Sequence, residues 1–306
     1  MIAFIHVFKT AGTTITGILR RNFSYHHFDA RLVHERPAIT AAQLKRVQRF
    51  YPRILSLAGH GIRSTSDLQT GFPDIRFYTF LREPQRRLVS AYIFSRRGPV
   101  GTGSWRPSRV EIESDFAHAL RNSTKSYCEI FGGEGATPEI AIERIEKDVG
   151  FVGLMENFDA SLALFRDWLG QPGFDPSYQR LNVAGKARER KLLDERLAPF
   201  AATAREIAAT PHIAALIEEK AAPDMVVYRH AADVVWPRLR ERYGTSPGPF
   251  DFERNDAASD TLAYRLYRNL FGRPFLRHIA GPPAFRVPTE AELTQPAFGR
   301  MANPEA

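Results

Sequence analysis

Residues Ile2 to Ile18, IAFIHVFKTAGTTITGI, constrain the fold more than any other stretch, because they set a lysine and a run of small residues between two apolar patterns of different period. Ile2, Phe4, Ile5, Val7 and Phe8 form a short apolar run rich in β-branched and aromatic side chains, the pattern of a strand covered on both faces. Ile15, Ile18, Leu19 and Phe23 then recur at helical spacing. Between the two, Lys9, Thr10, Ala11, Gly12, Thr13 and Thr14 supply small residues where the backbone must turn sharply. A strand, a tight turn and a helix start in this order aim several backbone N–H groups and the positive end of a helix dipole at one point, a cradle suited to phosphate or sulfate. Thr13 and Thr14 add hydroxyls and Lys9 adds a mobile cation. An ordinary βα turn with a surface lysine has the same residue pattern, so this stretch alone leaves both readings open.

Two further segments end in residues suited to a site. Arg53 to Ala58 (RILSLA) reads as a strand running into Gly59-His60-Gly61, and open α/β sheets hold their ligands at the carboxyl ends of strands. A histidine between glycines there is either a substrate-facing base or a turn residue. Asp74 to Leu81 (DIRFYTFL) is the clearest strand, leading through Arg82-Glu83-Pro84 into Leu88, Val89, Tyr92 and Ile93 at helical spacing. Pro84 fits the first turn of a helix, where its missing N–H costs nothing.

The common phosphate loop, G-x-x-x-x-G-K-[ST], is absent, since the lysine precedes the glycine here. HVFKTAGTTI instead resembles the 5′-phosphosulfate-binding loop of carbohydrate sulfotransferases that use 3′-phosphoadenosine 5′-phosphosulfate (PAPS). FLREPQRRLVSAYIF resembles the 3′-phosphate signature of the same family, R-[DE]-P-x-x-R-x-x-S-x-[YFW]. The resemblance implies that Lys9, Thr10, Ala11, Gly12, Thr13 and Thr14 hold the 5′ end of the donor, with Lys9 also catalytic, and that Arg82 and Ser90 hold its 3′-phosphate. Arginine suits that task, with a planar fork of donors for phosphate oxygens. It further implies that His60, rather than His6, His26, His27 or His34, is the catalytic base. Asn122 to Tyr127 (NSTKSY) partly resembles a segment near the family's acceptor site, and GLMENF its V-G-x-T-E-x-F strand, with Met155 in place of the usual threonine. RLNVAGKARER, from Arg180, is similar to a loop that closes over the nucleotide, so that Lys186, Arg188 and Arg190 become phosphate-binding candidates. DMVVY resembles the family's closing helix, and the likeness runs from residue 2 to 243.

At 306 residues, 43% of them hydrophobic, the chain can bury a large core as one α/β unit. A net charge of +8 attracts anions, but lysine and arginine are scattered rather than blocked, which argues against nucleic acid. No run of about eighteen apolar residues appears and the first strand begins at residue 2, so the expectation is a soluble, cytoplasmic protein without a transmembrane segment, able at most to touch a membrane peripherally. The single cysteine, Cys128, excludes an internal disulfide and a cysteine-rich metal site.

Elsewhere the patterns predict loops at Tyr25 to Asp29 and at Arg96 to Arg109, the second long enough for a lid. Helices are expected over Thr40 to Phe50, from Asp115, over Pro138 to Lys147 and from Glu156 through Trp168, with a fourth strand from Val149 to Met155. Helices over Leu192 to Ala222 and Asp224 to Tyr243 follow, the latter kinked or broken at Pro237. Beyond Thr245 the chain is proline- and glycine-rich, with one amphipathic stretch from Asp260 to Phe271.

The combined expectation is an α/β protein with a P-loop-like three-layer α/β/α sandwich and a mainly parallel sheet. Residues 1–243 would form the sulfotransferase domain, and 244–306 an extension packing on it or on a partner. The resemblance implies sulfuryl transfer from PAPS to a hydroxyl of a glycan or glycolipid, with no metal required. A P-loop kinase and a non-catalytic nucleotide- or anionic-glycan-binding protein remain as alternatives. Oligomeric state and the acceptor's identity are not legible.

Overall fold

The computed structural model describes residues 1–30, 38–49, 53–123, 126–179, 187–244, 248–254, 262–267 and 270, with backbone only at 187–194 and 263. Five strands, β1 (Ile2–Ile5), β2 (His27–Asp29), β3 (Ser56–Gly59), β4 (Arg76–Leu81) and β5 (Val149–Leu154), form one sheet in the order β2-β3-β1-β4-β5. Every pairing is parallel, so the expected α/β sandwich is borne out with a sheet that is parallel throughout its described strands. The helices in chain order are α1 (Gly12–Phe23), α2 (Ala41–Gln48), α3 (Leu68–Gly71), α4 (Pro84–Ser95), α5 (Arg97–Thr102), α6 (Arg109–Arg121) and α7 (Tyr127–Gly132). After them come α8 (Pro138–Asp148), α9 (Phe158–Leu169), α10 (Ala187–Ala208), α11 (Pro211–His230), α12 (Trp236–Tyr243) and α13 (Leu262–Tyr267).

The described residues fall into two compact units. The first contains the sheet and runs over Met1–Arg82, the described residues of 127–181 and those of 226–287. All four residues of β1 are buried, as its unbroken apolar run predicts for a central parallel strand. An aromatic cluster fills the core on the β4–β5 side: Phe4 stacks on Tyr78 at 5.2 Å between ring centroids, Tyr78 lies 4.6 Å from Phe165, and Phe151 and Trp168 complete it. Arg76 at the start of β4 covers this cluster, its guanidinium 3.9 Å from the Trp168 ring centre.

The second unit takes Glu83–Ser126 and the described residues of 182–225. It is helical, with its own core of Leu88, Tyr92, Phe116, Leu120, Phe200 and Ile213. Tyr92 and Phe116 stack with centroids 4.0 Å apart. A buried ion pair, Arg87 to Asp224 at 2.6 Å, ties α4 to α11. The lone cysteine, Cys128, is buried in the first unit with its thiol unbridged.

Several expectations are corrected. Residues His27–Asp29, expected in a loop, form edge strand β2, held by a polar network too irregular to leave a two-residue alternation in three residues. The His27 ring bridges Ser56 Oγ and Asp29 Oδ1, each at 3.0 Å, and Asp29 also accepts from Arg20 Nε at 3.0 Å and from the Tyr264 hydroxyl at 2.8 Å. Burial pushes the Asp29 carboxyl up, but these hydrogen bonds and the Arg20 charge outweigh it and hold the group far below the usual carboxylate range.

The expected lid at Arg96–Arg109 is only partly loop. Its first half folds into α5, where Val100 is buried and Arg196 donates to the Gly101 carbonyl at 3.0 Å, and Gly103 at φ +75° ends the turn. Tertiary contact here overrides the low helix propensity of Gly98 and Pro99. Helix α6 starts at Arg109, six residues before the expected Asp115, with Ser108 and Glu111 forming a capping box.

The expected break at Pro237 also moves. A π-helical segment, Ala231–Val235, changes the helical register before the proline, which then sits in the first turn of α12 without ending the helix. Pro199 and Pro223 lie inside α10 and α11, and α10 ends at Ala208 rather than continuing to Ala222. Described residues past 243 pack in the first unit: Tyr178 and Phe252 share a backbone hydrogen bond of 2.8 Å, besides the Tyr264 contact to Asp29.

Candidate active site

Since the sheet is parallel, the turns after β3, β1 and β4 emerge side by side along one edge, and these carry His60, Lys9 and Arg82. The chain leaves β1 toward β2 and β3 and returns to place β4 on the other flank, which makes the β1–β4 boundary the switch point where open α/β sheets hold ligands.

The turn after β1 is built by two residues of reversed backbone hand. Lys9 has φ +68° and Ala11 φ +58°, both in the left-handed region that side-chain-bearing residues rarely enter. Strain of this kind persists where the surroundings enforce it. Val7 N donates to the Ile5 carbonyl at 3.1 Å, and the buried Thr10 hydroxyl donates to the Val7 carbonyl at 3.0 Å, which fixes the turn from inside. Alternation of left- and right-handed residues turns successive N–H groups toward one side, the arrangement of an anion-binding nest.

Helix α1 then begins at Gly12, with Ala11 as its N-cap, no side-chain cap and no acidic residue in its first turn. Its first i to i−4 hydrogen bond runs from Ile15 N to Ala11 O at 3.0 Å, so the N–H groups of residues 12 to 14 precede the helical ladder. Thr13 is exposed and Thr14 half-buried beside them. By contrast α2 and α6 carry complete capping boxes, and α4 is capped by Glu83, whose carboxylate accepts from Gln85 N at 3.1 Å and Arg86 N at 2.7 Å.

His60 follows β3 and is exposed. Its Nδ1 lies 2.8 Å from the His6 carbonyl, which can only accept, so Nδ1 carries the proton and the neutral ring has its lone pair on Nε2. The His6 and His60 rings stack at 3.9 Å. Arg63 donates to the His60 carbonyl at 2.5 Å and to the Ile62 carbonyl at 3.1 Å, fixing the backbone behind the His60 ring. Burial lowers the Arg63 pKa, partly offset by the charge of Glu129. Burial also pushes the His6 pKa well below the usual imidazole range; the charge of His60 lowers it further, and Asp29 opposes both.

Arg82, half-buried, leaves the end of β4 with its backbone clamped by one side chain. The Tyr127 hydroxyl donates to the Arg82 carbonyl at 2.5 Å and accepts from Arg82 N at 3.1 Å. Ser90 is half-buried on α4 in the second unit. Lys186 lies outside the described residues; Arg188 and Arg190 lie on α10 where only the backbone is described.

Reading the sequence alone missed three contributors: His6, Arg63 and Tyr127. His6 sat in plain view within HVFKT, yet strand periodicity says nothing about ring stacking across to β3. Tyr127 closes the NSTKSY segment, and its grip on Arg82 joins residues 45 apart in the chain, which no local pattern records.

The assembled chemistry is that of an anion site beside a proton acceptor. Backbone N–H groups, Lys9 and Arg82 can neutralise a multiply charged ligand, and His60 can accept a proton. Among the described residues no three His, Cys, Asp or Glu side chains cluster as metal ligands would, and no helix is long and apolar enough to cross a membrane. No curated protein matches the chain. Residues 1–132, which carry the Lys9 turn, His60 and Arg82, match the model of the sulfotransferase family, so that this part of the chain is similar to sulfotransferases.

Proposed function

We propose that this site transfers the sulfuryl group of PAPS to a hydroxyl of a glycan or glycolipid. The observation that carries the reading is the start of α1: a strained, nest-like turn whose first-turn N–H groups have neither side-chain cap nor carboxylate, next to a strand whose end presents an imidazole. These residues fit a phosphosulfate. The N–H groups of 12 to 14, Lys9, and the hydroxyls of Thr13 and Thr14 would hold the 5′ end, and the Arg82 fork would hold the 3′-phosphate.

Transfer forms a bond between the acceptor oxygen and sulfur and breaks the bond between sulfur and the 5′-phosphate oxygen. His60 Nε2 takes the proton of the acceptor hydroxyl, and Lys9 with the turn's N–H groups faces the negative charge that grows on the departing phosphate. The protein chiefly positions and neutralises, as in phosphoryl transfer. A basic surface favours an acidic polysaccharide or glycolipid as the acceptor-bearing molecule.

The test compares ligands by thermal unfolding and then measures turnover. 3′-Phosphoadenosine 5′-phosphate (PAP) should raise the melting temperature well above the effect of ATP with Mg²⁺, and PAP should be released from PAPS when a desulfated glycosaminoglycan extract is supplied. Equal stabilisation by ATP, or no release with any fraction of the extract, would overturn the proposal.

A further inference from the structure

His6 has no task in the transfer as described, yet it touches both halves of the site. Its ring is stacked between Phe4, at 5.4 Å and 13°, and His60, at 3.9 Å and 25°. The same ring presses on the first residue of α1: a Cβ at Gly12 would fall 1.6 Å from His6 Nε2, so only glycine leaves room for it. Gly12 is therefore demanded by close approach and not by backbone hand, since the left-handed positions of the turn belong to Lys9 and Ala11. The His6 carbonyl, finally, receives the Nδ1 proton of His60.

We infer that His6 is a positioning residue for His60, one that ties the orientation of the base to the helix start that forms the donor cradle. An imidazole has two side-chain rotations, and two contacts are needed to fix them. The hydrogen bond at Nδ1 sets which nitrogen keeps the lone pair, and the stack on one face sets the plane of the ring, so that Nε2 is held in one direction. Phe8, tilted 57° at 6.2 Å, also borders the His60 ring. Arg63 holds the His60 carbonyl, so the base is fixed at its backbone as well as at its ring. Because the His6 ring also occupies the space above Gly12, a displacement of the cradle and a displacement of the base are not independent.

This inference rests on the reading of His60 as the base. The experiment is a double-mutant cycle on PAP release from PAPS with the desulfated glycosaminoglycan extract, using His6→Ala, His60→Ala and the pair, with PAP affinity and thermal unfolding measured on each. Substitution at residue 6 keeps the backbone carbonyl and removes only the ring. His6→Ala should lower kcat about 10- to 100-fold through misplacement of the base, while PAP affinity changes far less. In the His60→Ala background the same change should have almost no further effect, because its action runs through His60. His6→Phe, which restores an aromatic stack, should recover most of the loss. If His6→Ala does not fold, the cycle is run with His6→Asn, whose shorter planar group fits the same space. Independent, multiplicative losses in the pair, or wild-type kcat in a folded His6→Ala, would overturn the inference and leave the function standing. Full turnover by His60→Ala would instead remove the base, and absence of turnover in the wild type would remove the function and this inference with it.

Discussion

The turns after β1 and after β4 share one plan, strand, turn and helix, and finish it in opposite ways. After β4, Glu83 caps α4 with its own carboxylate, so the N–H groups of Gln85 and Arg86 are already satisfied and the helix start is electrostatically closed. After β1, Ala11 offers no side chain to α1 and the first turn holds no acid, which leaves that helix start open to an outside anion. The turn that closes its helix keeps an arginine with a clamped backbone, and the turn that leaves it open keeps a lysine on a strained one. On the proposed reading, a phosphate at the first would be gripped by a side chain, and an anion at the second by the main chain with lysine assisting.

That division predicts different losses. Lys9→Ala removes the charge proposed to face the leaving group but leaves the N–H groups in place, so kcat should fall by about 10²- to 10³-fold while PAP affinity drops less than tenfold. Steady-state kinetics and calorimetric titration with PAP decide it, and the reverse pattern would mean that Lys9 only binds. Arg82→Ala removes the charged side chain proposed to hold the 3′-phosphate and leaves Ser90. About 1.5–3 kcal/mol of charge-assisted bonding should go, a tenfold to hundredfold loss of PAP affinity, with little change in ATP binding. If ATP affinity falls equally, the residue is not reading a 3′-phosphate.

Glu83→Ala probes the closed helix start directly. Loss of the cap should lower stability by about 1 kcal/mol, read by urea unfolding, with PAP affinity at the β1 turn unaffected. An increase in affinity for inorganic phosphate in this variant would sharpen the comparison further, since it would show that α4 opens to anions once its own carboxylate is gone.

Much of this was legible in the sequence, for definite reasons. The apolar run of Ile2 to Ile5, the run before Arg82 and the helical spacing after Thr14 are local patterns with one physical reading, and they placed the alternating strands, the Lys9 turn and Arg82 correctly along the chain. What escaped depends on contacts between distant segments. Strand β2 is three residues long and is held by His27, Ser56, Arg20 and Tyr264 rather than by alternation. Helix α5 forms over Gly98 and Pro99 with Val100 buried and Arg196 holding its end. The His6 stack requires β1 and β3 to be neighbours in register, with Ile5 opposite Gly59, before its ring can meet His60.

The smallest effect concerns the same pair of rings and can be read without any substrate. Burial and the neighbouring His60 charge hold the His6 pKa well below the ordinary value, near 6.5, that it has in the unfolded chain. Above about pH 6.5 the ring is neutral in both states and contributes no pH dependence. As the pH falls through that value the unfolded chain takes up a proton that the folded protein refuses, so the unfolded state binds more protons and stability declines with decreasing pH. Between pH 7.5 and 5.5 this one group should lower stability as the pH falls. His6→Phe has no proton to refuse, so its urea unfolding curves at the two pH values should lie closer together than those of the wild type. Equal pH dependence in the two proteins would mean that His6 titrates normally in its stack, and the ring would then have to share its charge with His60 instead of standing neutral behind it.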